Sequence, residues 1–174
     1  MTFHLPMRPV AVALAVLACA VMSLAGCGYG HKELYDESVH TIAVPIFENK
    51  TFYREVEFRL TEALAKEIEQ RTPYKVVKSG SADTELKGKV LQVEKRLISR
   101  EFKTGVPQEI EVVVVAEFEW KDLRTGQIKR KRGRIEGTGQ YVPTRPASEP
   151  FEVARHQAVE VLAREIVSAM RADW

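Results

Sequence analysis

Cysteine is scarce in this chain: two in 174 residues, Cys19 and Cys27, both near the start. That excludes a disulfide-stapled scaffold. Charge of one sign is equally scarce. With 26 basic against 24 acidic residues and a formal charge of +2, the chain lacks the field of a polybasic nucleic-acid binder. Its 10 glycines and 8 prolines are scattered, which excludes a collagen-like repeat or a long coiled coil. Hydrophobic residues make up 45%, too many for a disordered chain of small net charge. Catalytic patterns are missing as well. His31, His40 and His156 lack the His-Glu-x-x-His spacing of a metal site, and there is no Gly-x-Ser-x-Gly elbow. Gly133, Gly137 and Gly139 sit inside a strand pattern rather than a phosphate loop, so they point to close packing or bends. Neither an enzyme, nor a cofactor, nor a metal is expected.

What is present begins with an address. Arg8 precedes an uncharged apolar run from Val10 to Leu24, the pattern of a signal peptide and short for a membrane span. The run ends in Leu24-Ala25-Gly26-Cys27, which resembles the lipobox of bacterial lipoproteins. The resemblance implies cleavage after residue 26 and acyl chains on Cys27; Gly28 at the next position favours the outer membrane. Each buried methylene contributes about 0.8 kcal/mol, so two or more chains hold a protein on a bilayer. Beyond Cys27 no stretch approaches the ~18 apolar residues of a span. The expected organisation is a signal peptide at 1–26, a lipidated tether at 27–37 and one domain at 38–174.

Within that domain, residues 38–47 read as a strand broken by Pro45, residues 48–51 as a turn, and Thr51 as a helix cap. From Tyr53 to Arg71 the period becomes helical, with Val56, Leu60, Ala63, Leu64 and Ile68 on one face; Pro73 stops it. Tyr74–Val77 is a short strand, and the strand–helix–strand order allows a parallel pair. Long strands follow at 84–98, 109–121 and 128–142. The adjacent Val90 and Leu91 mark a bulge, residues 98–108 a polar loop and 122–127 a hairpin turn. A second amphipathic helix covers 149–172, with Ser148 as its cap and a stripe of Phe151, Ala154, Ala158, Val161, Leu162, Ile166, Ala169 and Met170. The fold class is α+β, order β-α-β-β-β-β-α, with two helices on one face of a mixed, mostly antiparallel sheet.

Two surface features carry functional expectations. On the strand at 109–121 the even residues are apolar, while the odd face carries glutamates together with Val113 and Val115. If both helices lie on the even side, those valines, with Leu91 and Val93, are either covered by a loop or tether, or face a partner. The run Lys129-Arg130-Lys131-Arg132, followed by Arg134, is a candidate for anionic lipid or glycolipid. Pairing Val114 with Ile135 sets Glu119 opposite Arg130 and Glu117 opposite Arg132. Lys129 and Lys131 then face Trp120 and Phe118, and Lys129, Lys131 and Arg134 are the cations left for a ligand.

The whole of this pattern resembles the LptE family of lipopolysaccharide-assembly lipoproteins. The resembling segments are Gly26-Cys27-Gly28-Tyr29, the run from Thr41 to Thr51 (TIAVPIFENKT), Leu60–Leu64, Arg71-Thr-Pro-Tyr74, Leu86-x-Gly88 and the terminal helix. The resemblance implies a non-enzymatic outer-membrane lipoprotein on the periplasmic side, partnered with the β-barrel LptD in inserting lipopolysaccharide. The run from Thr41 to Asn49 also resembles periplasmic lipoproteins that activate peptidoglycan synthases or build secretion pores.

Overall fold

The computed structural model describes residues 35–100, 107–143 and 148–171. The expectations for the signal peptide, for Cys27 and Gly28 and for most of the 27–37 tether lie outside these residues, as does the middle of the 98–108 loop. The elements are β1 (Thr41–Ala43), β2 (Glu48–Asn49), α1 (Val56–Arg71), β3 (Lys75–Val76), β4 (Thr84–Arg100), β5 (Pro107–Asp122), β6 (Ile128–Tyr141) and α2 (Ser148–Ala169). They form an α+β fold: a mixed sheet in the order β3-β1-β4-β5-β6, with β2 added beside β4. The strand–helix–strand unit is parallel as expected, since β1 pairs with β3 in register Thr41 to Lys75. The three long strands are antiparallel neighbours.

Both helices lie on the even face of β5. Val56, Leu60, Ala63, Leu64 and Ile68 of α1 share one core with Leu86 and Val90 of β4, with Val114, Ala116, Phe118 and Trp120 of β5, and with Ala158, Leu162 and Ile166 of α2. The stripe on α2 is wider than its sequence pattern suggests. Val159, Ala163 and Val167 are buried too, because α2 packs on α1 as well as on the sheet, while Val161 is only half-buried. The α2 backbone rests directly on β6. A Cβ at Gly137 would meet the Ala158 carbonyl and the Leu162 amide, and one at Gly139 would meet the Ala154 carbonyl. These two glycines serve close packing, whereas Gly133 has open space around it.

Two local expectations are corrected. Residues 48–51 do not form a simple turn: Glu48 and Asn49 make β2, which adds a strand to the expected order. Thr51 does not cap α1. The helix starts at Val56 behind Glu55, which adopts φ 68° and makes no capping hydrogen bond with its side chain. Asn49 organises this corner instead. Its amide donates to the Tyr53 carbonyl and to Glu57 Oε2, each at 2.7 Å, and its Oδ1 accepts from the Thr51 N–H and hydroxyl at 2.8 Å. The bulge appears as expected, between Val90 and Gln92. Its effect is to return Val93 to the helix side, where it packs on the core, so Val93 does not face outward.

Candidate functional site

Among the described residues one face of the sheet carries no helix, and β4, β5 and β6 fill it with charges of both signs. Near the middle of this outer face lies a groove of about 410 Å³. Pro45 and Ile46, in the loop between β1 and β2, form one wall; Ile46 is 60% exposed. Lys87 and Lys89 of β4 and Lys131 of β6 supply cations around it, Arg132 lines its edge, and Glu48, Glu117 and Glu119 supply carboxylates. Gly88, behind the groove, makes room for the buried Phe47, because a Cβ there would strike the Phe47 ring and the Glu117 carbonyl. Lys89 pairs with Glu117 at 3.3 Å and lies 4.0 Å from Glu48. All these side chains are substantially exposed, so each pair contributes only a few tenths of a kcal/mol, to a maximum of about 1. An incoming anion can therefore displace the carboxylates at low cost.

The basic strand is arranged differently from the sequence reading. Ala116 pairs with Ile135 and Val114 with Gly137, and register shifts follow, so Trp120 sits opposite Arg130 and Glu119 opposite Lys131. The expected pairs Glu119–Arg130 and Glu117–Arg132 do not form. Lys131 takes Glu119 at 3.0 Å, and Arg134 takes Glu136 at 2.6 Å. Lys129 Nζ lies 2.6 Å from Asp36, 3.8 Å from Asp122 and 5.8 Å from the Trp120 ring centre, but Arg130 and Arg132, not Lys129 and Lys131, are the register partners of Trp120 and Phe118. Arg130 donates to the Arg171 carbonyl at 2.9 Å. The three cations reserved for a ligand are thus all paired, and Arg132, the register partner of Phe118, belongs to the helix-side phase of β6. Arg134, followed by Arg96, holds the Glu136 carboxyl below its ordinary range.

Lys129 belongs to a second constellation, at the end of the sheet where β1, β4 and β6 begin. The Tyr74 hydroxyl accepts from the Asp36 amide at 3.0 Å, and Arg124 donates to the Ser38 carbonyl at 3.1 Å. Arg171 donates to the Tyr35 hydroxyl at 3.3 Å. The ammonium of Lys129, then the hydroxyl and amide of Ser38, hold the Asp36 carboxyl down at about 2. Burial pushes the Tyr74 hydroxyl up to about 12, so it remains a donor and acceptor at every physiological pH. No local pattern marks Asp36, whose partner Lys129 is 93 residues away.

Val113 and Val115 are not an exposed strip. Both have 0% exposure. As residues of a central strand they are flanked on both sides by register partners: Glu94 and Thr138 beside Val113, Gln92 and Glu136 beside Val115. Leu91, at the bulge, is the partly exposed residue of that group, at 36%. Among the described residues, no group of three or more His, Cys, Asp or Glu side chains is placed to hold a metal ion, and no helix is long and apolar enough to cross a membrane.

The fold defines a two-layer α+β module with one helix-covered face and one charged, grooved face. Within that class the sequence profile described as "LptE: Lipopolysaccharide-assembly" matches residues 39–170, and the chain belongs to this family. No curated protein matches the chain significantly in sequence. Solved structures share its fold. Protein XCC0632 from Xanthomonas campestris is 10% identical with a TM-score of 0.58, covering 79% of this chain and 86% of that one. The rare lipoprotein B from Shewanella oneidensis is 18% identical with a TM-score of 0.52, covering 75% and 93%. The PelC dodecamer from Paraburkholderia phytofirmans is 17% identical with a TM-score of 0.51, covering 79% and 93%.

Proposed function

We propose that this chain is a lipid-anchored outer-membrane protein that partners an LptD-like β-barrel and assists the insertion of lipopolysaccharide, acting through its surfaces rather than by catalysis. The family match over residues 39–170 is the observation that carries this reading. In it, residues 1–26 are removed, Cys27 carries the acyl chains, and the body sits on the periplasmic side. Lipopolysaccharide combines phosphates with acyl chains, and the outer-face groove combines cations with the apolar surface of Pro45 and Ile46. Lys131, with Lys87 across the groove, is best placed to take a phosphate, since Lys131 needs only to exchange Glu119. Lys129 and Arg134 have a ligand role only if Asp36 and Glu136 are given up.

The test has two arms. Purification of the native protein from membranes should bring down a large β-barrel, and Cys27→Ser should move it to the soluble fraction. Recovery of a cell-wall synthase or a self-assembled ring instead would replace this reading with the regulator or secretion-pore one. Lys87→Glu with Lys131→Glu should lower lipopolysaccharide binding severalfold more than Arg134→Glu; equal losses would remove the groove from the site.

A further inference from the structure

The sheet has two edges, and they are built differently. At one lies β3, two residues long. At the other lies β6, 14 residues long, with no strand on its far side among the described residues. At about 3.4 Å per residue, that edge presents a row of amides and carbonyls roughly 45 Å long. Such a row is a template for another chain, and the copy of β6 on a second molecule is always at hand.

The first half of β6 works against that pairing. Lys129, Arg130, Lys131, Arg132 and Arg134 fall within residues 128–134, and Glu136 is the one carboxylate on the strand. Asp36, Glu119 and Glu136 answer Lys129, Lys131 and Arg134 from within the molecule, so positive charge remains in excess along this edge. Residues 131–134 are all exposed, without the alternation that the second half of the strand shows. An antiparallel β6–β6 register centred on any residue from Lys129 to Arg134 sets cation opposite cation. Like charges directly opposite destabilise a strand pair.

A register centred on Ile135 escapes this rule, because it brings Arg134 to Glu136. There the backbone intervenes. Ala116 pairs with Ile135 and Phe118 with Arg132, so Gly133 and Arg134 together face Glu117 alone. Lys129 is likewise an extra residue, between the Trp120–Arg130 and Lys121–Ile128 pairs. Extra residues bend and twist a strand and spoil the spacing of its free groups. A Cβ at Gly133 would meet nothing, so packing does not require glycine there, whereas glycine does weaken strand pairing.

We propose that the run from Lys129 to Arg134 guards the open edge of the sheet, its charge and its irregular backbone keeping β6 from pairing with β6 of a second copy. This role needs neither lipid nor partner protein, and it accounts for cations that cluster on an edge strand instead of being spread over the sheet.

The experiment uses the full-length protein purified from membranes. Its mass is read by sedimentation equilibrium in density-matched detergent over a hundredfold range of concentration. The parent should be a monomer throughout. Lys131→Thr with Arg132→Thr and Arg134→Thr removes three charges and supplies residues that favour strands. This variant should associate at least tenfold more tightly than the parent, with amide exchange at 131–134 slowed at least tenfold in the associated form. Lys131→Arg with Arg132→Lys and Arg134→Lys keeps the charges and should keep the parent's mass. A threonine variant with the parent's circular dichroism that stays monomeric overturns the guard. Association that leaves the β6 amides exchanging as fast as in the monomer overturns it too. If the triple variant does not fold, Arg132→Thr alone decides, in molar sodium chloride, where screening suppresses the remaining repulsion. Association that protects the β6 amides supports the guard, and a monomer overturns it.

Discussion

Replacing Gly137 with alanine tests the packing on which the whole layer arrangement depends. The new Cβ would point into the backbone of α2 at Ala158 and Leu162 and would come within 2.6 Å of Leu162 Cβ. Backbone cannot step aside as a flexible side chain can, so α2 must lift from β6 along the stretch that also carries Ala154 and Ile166. Overpacking a filled core costs about 1–3 kcal/mol, and a backbone obstruction belongs at the upper end. Against this, alanine restricts the unfolded chain and is worth about 0.4–1 kcal/mol in the opposite direction. The expected net loss is about 2 kcal/mol. With a urea slope of about 2 kcal/mol/M for a domain of this size, the unfolding midpoint falls by about 1 M. Gly133→Ala is the internal control: the same chemistry in the same strand, with nothing near the added carbon. It should leave the midpoint unchanged or raise it slightly. Both are read in a Cys27→Ser background by circular dichroism and by the fluorescence of buried Trp120. Midpoints for the two variants within 0.2 M of each other would refute the claim that α2 rests on the β6 backbone.

Three further outcomes follow from the same structure. Val115→Asp should destabilise the isolated protein by about 2–4 kcal/mol, because it places a carboxylate where the side chain has no exposure; a thermal midpoint equal to the parent would restore that position to the surface. Leu162→Ala should cost about 2–4 kcal/mol through the cavity left between α2, α1 and the sheet, measured by urea unfolding; a loss under 1 kcal/mol would contradict its central place. Asp36 contributes on the acid side. Its carboxyl is held near 2, below the ordinary value near 4, so its bonds are complete above about pH 5 and are lost as the pH falls toward 2. Because Asp36 and Lys129 are partly exposed, Asp36→Asn should cost about 0.5–1 kcal/mol at pH 7 and flatten the stability curve between pH 2 and 5. Parallel curves for the two proteins would show that the carboxylate does not matter.

Much of the fold could be read in the chain because local physics wrote it. The 3.6-residue period names the five apolar residues of α1, Pro73 ends it, and the doubled Val90-Leu91 marks the bulge. The parity of β5 separates a helix face from a charged face. Register was not legible in the same way. Alternation forbids pairing opposite phases but accepts any even slip, and the irregularities after Ala116 and Trp120 shift the pairs again. Lys129, Arg130, Lys131 and Arg134 therefore acquired partners that parity alone could not name.

The amino-acid order by itself decided what depends on neighbours a few residues apart: the apolar leader ending at Cys27, the two amphipathic helices, the alternating strands and the absence of a catalytic motif. Only the tertiary structure decided what depends on distant segments meeting. It set Lys129 against Asp36, brought Pro45 and Ile46 beside Lys87 and Lys131, and buried Val113 and Val115. The reason is that periodicity fixes which way a side chain points, whereas its partner depends on strand order, register and the closure of loops that no local pattern records.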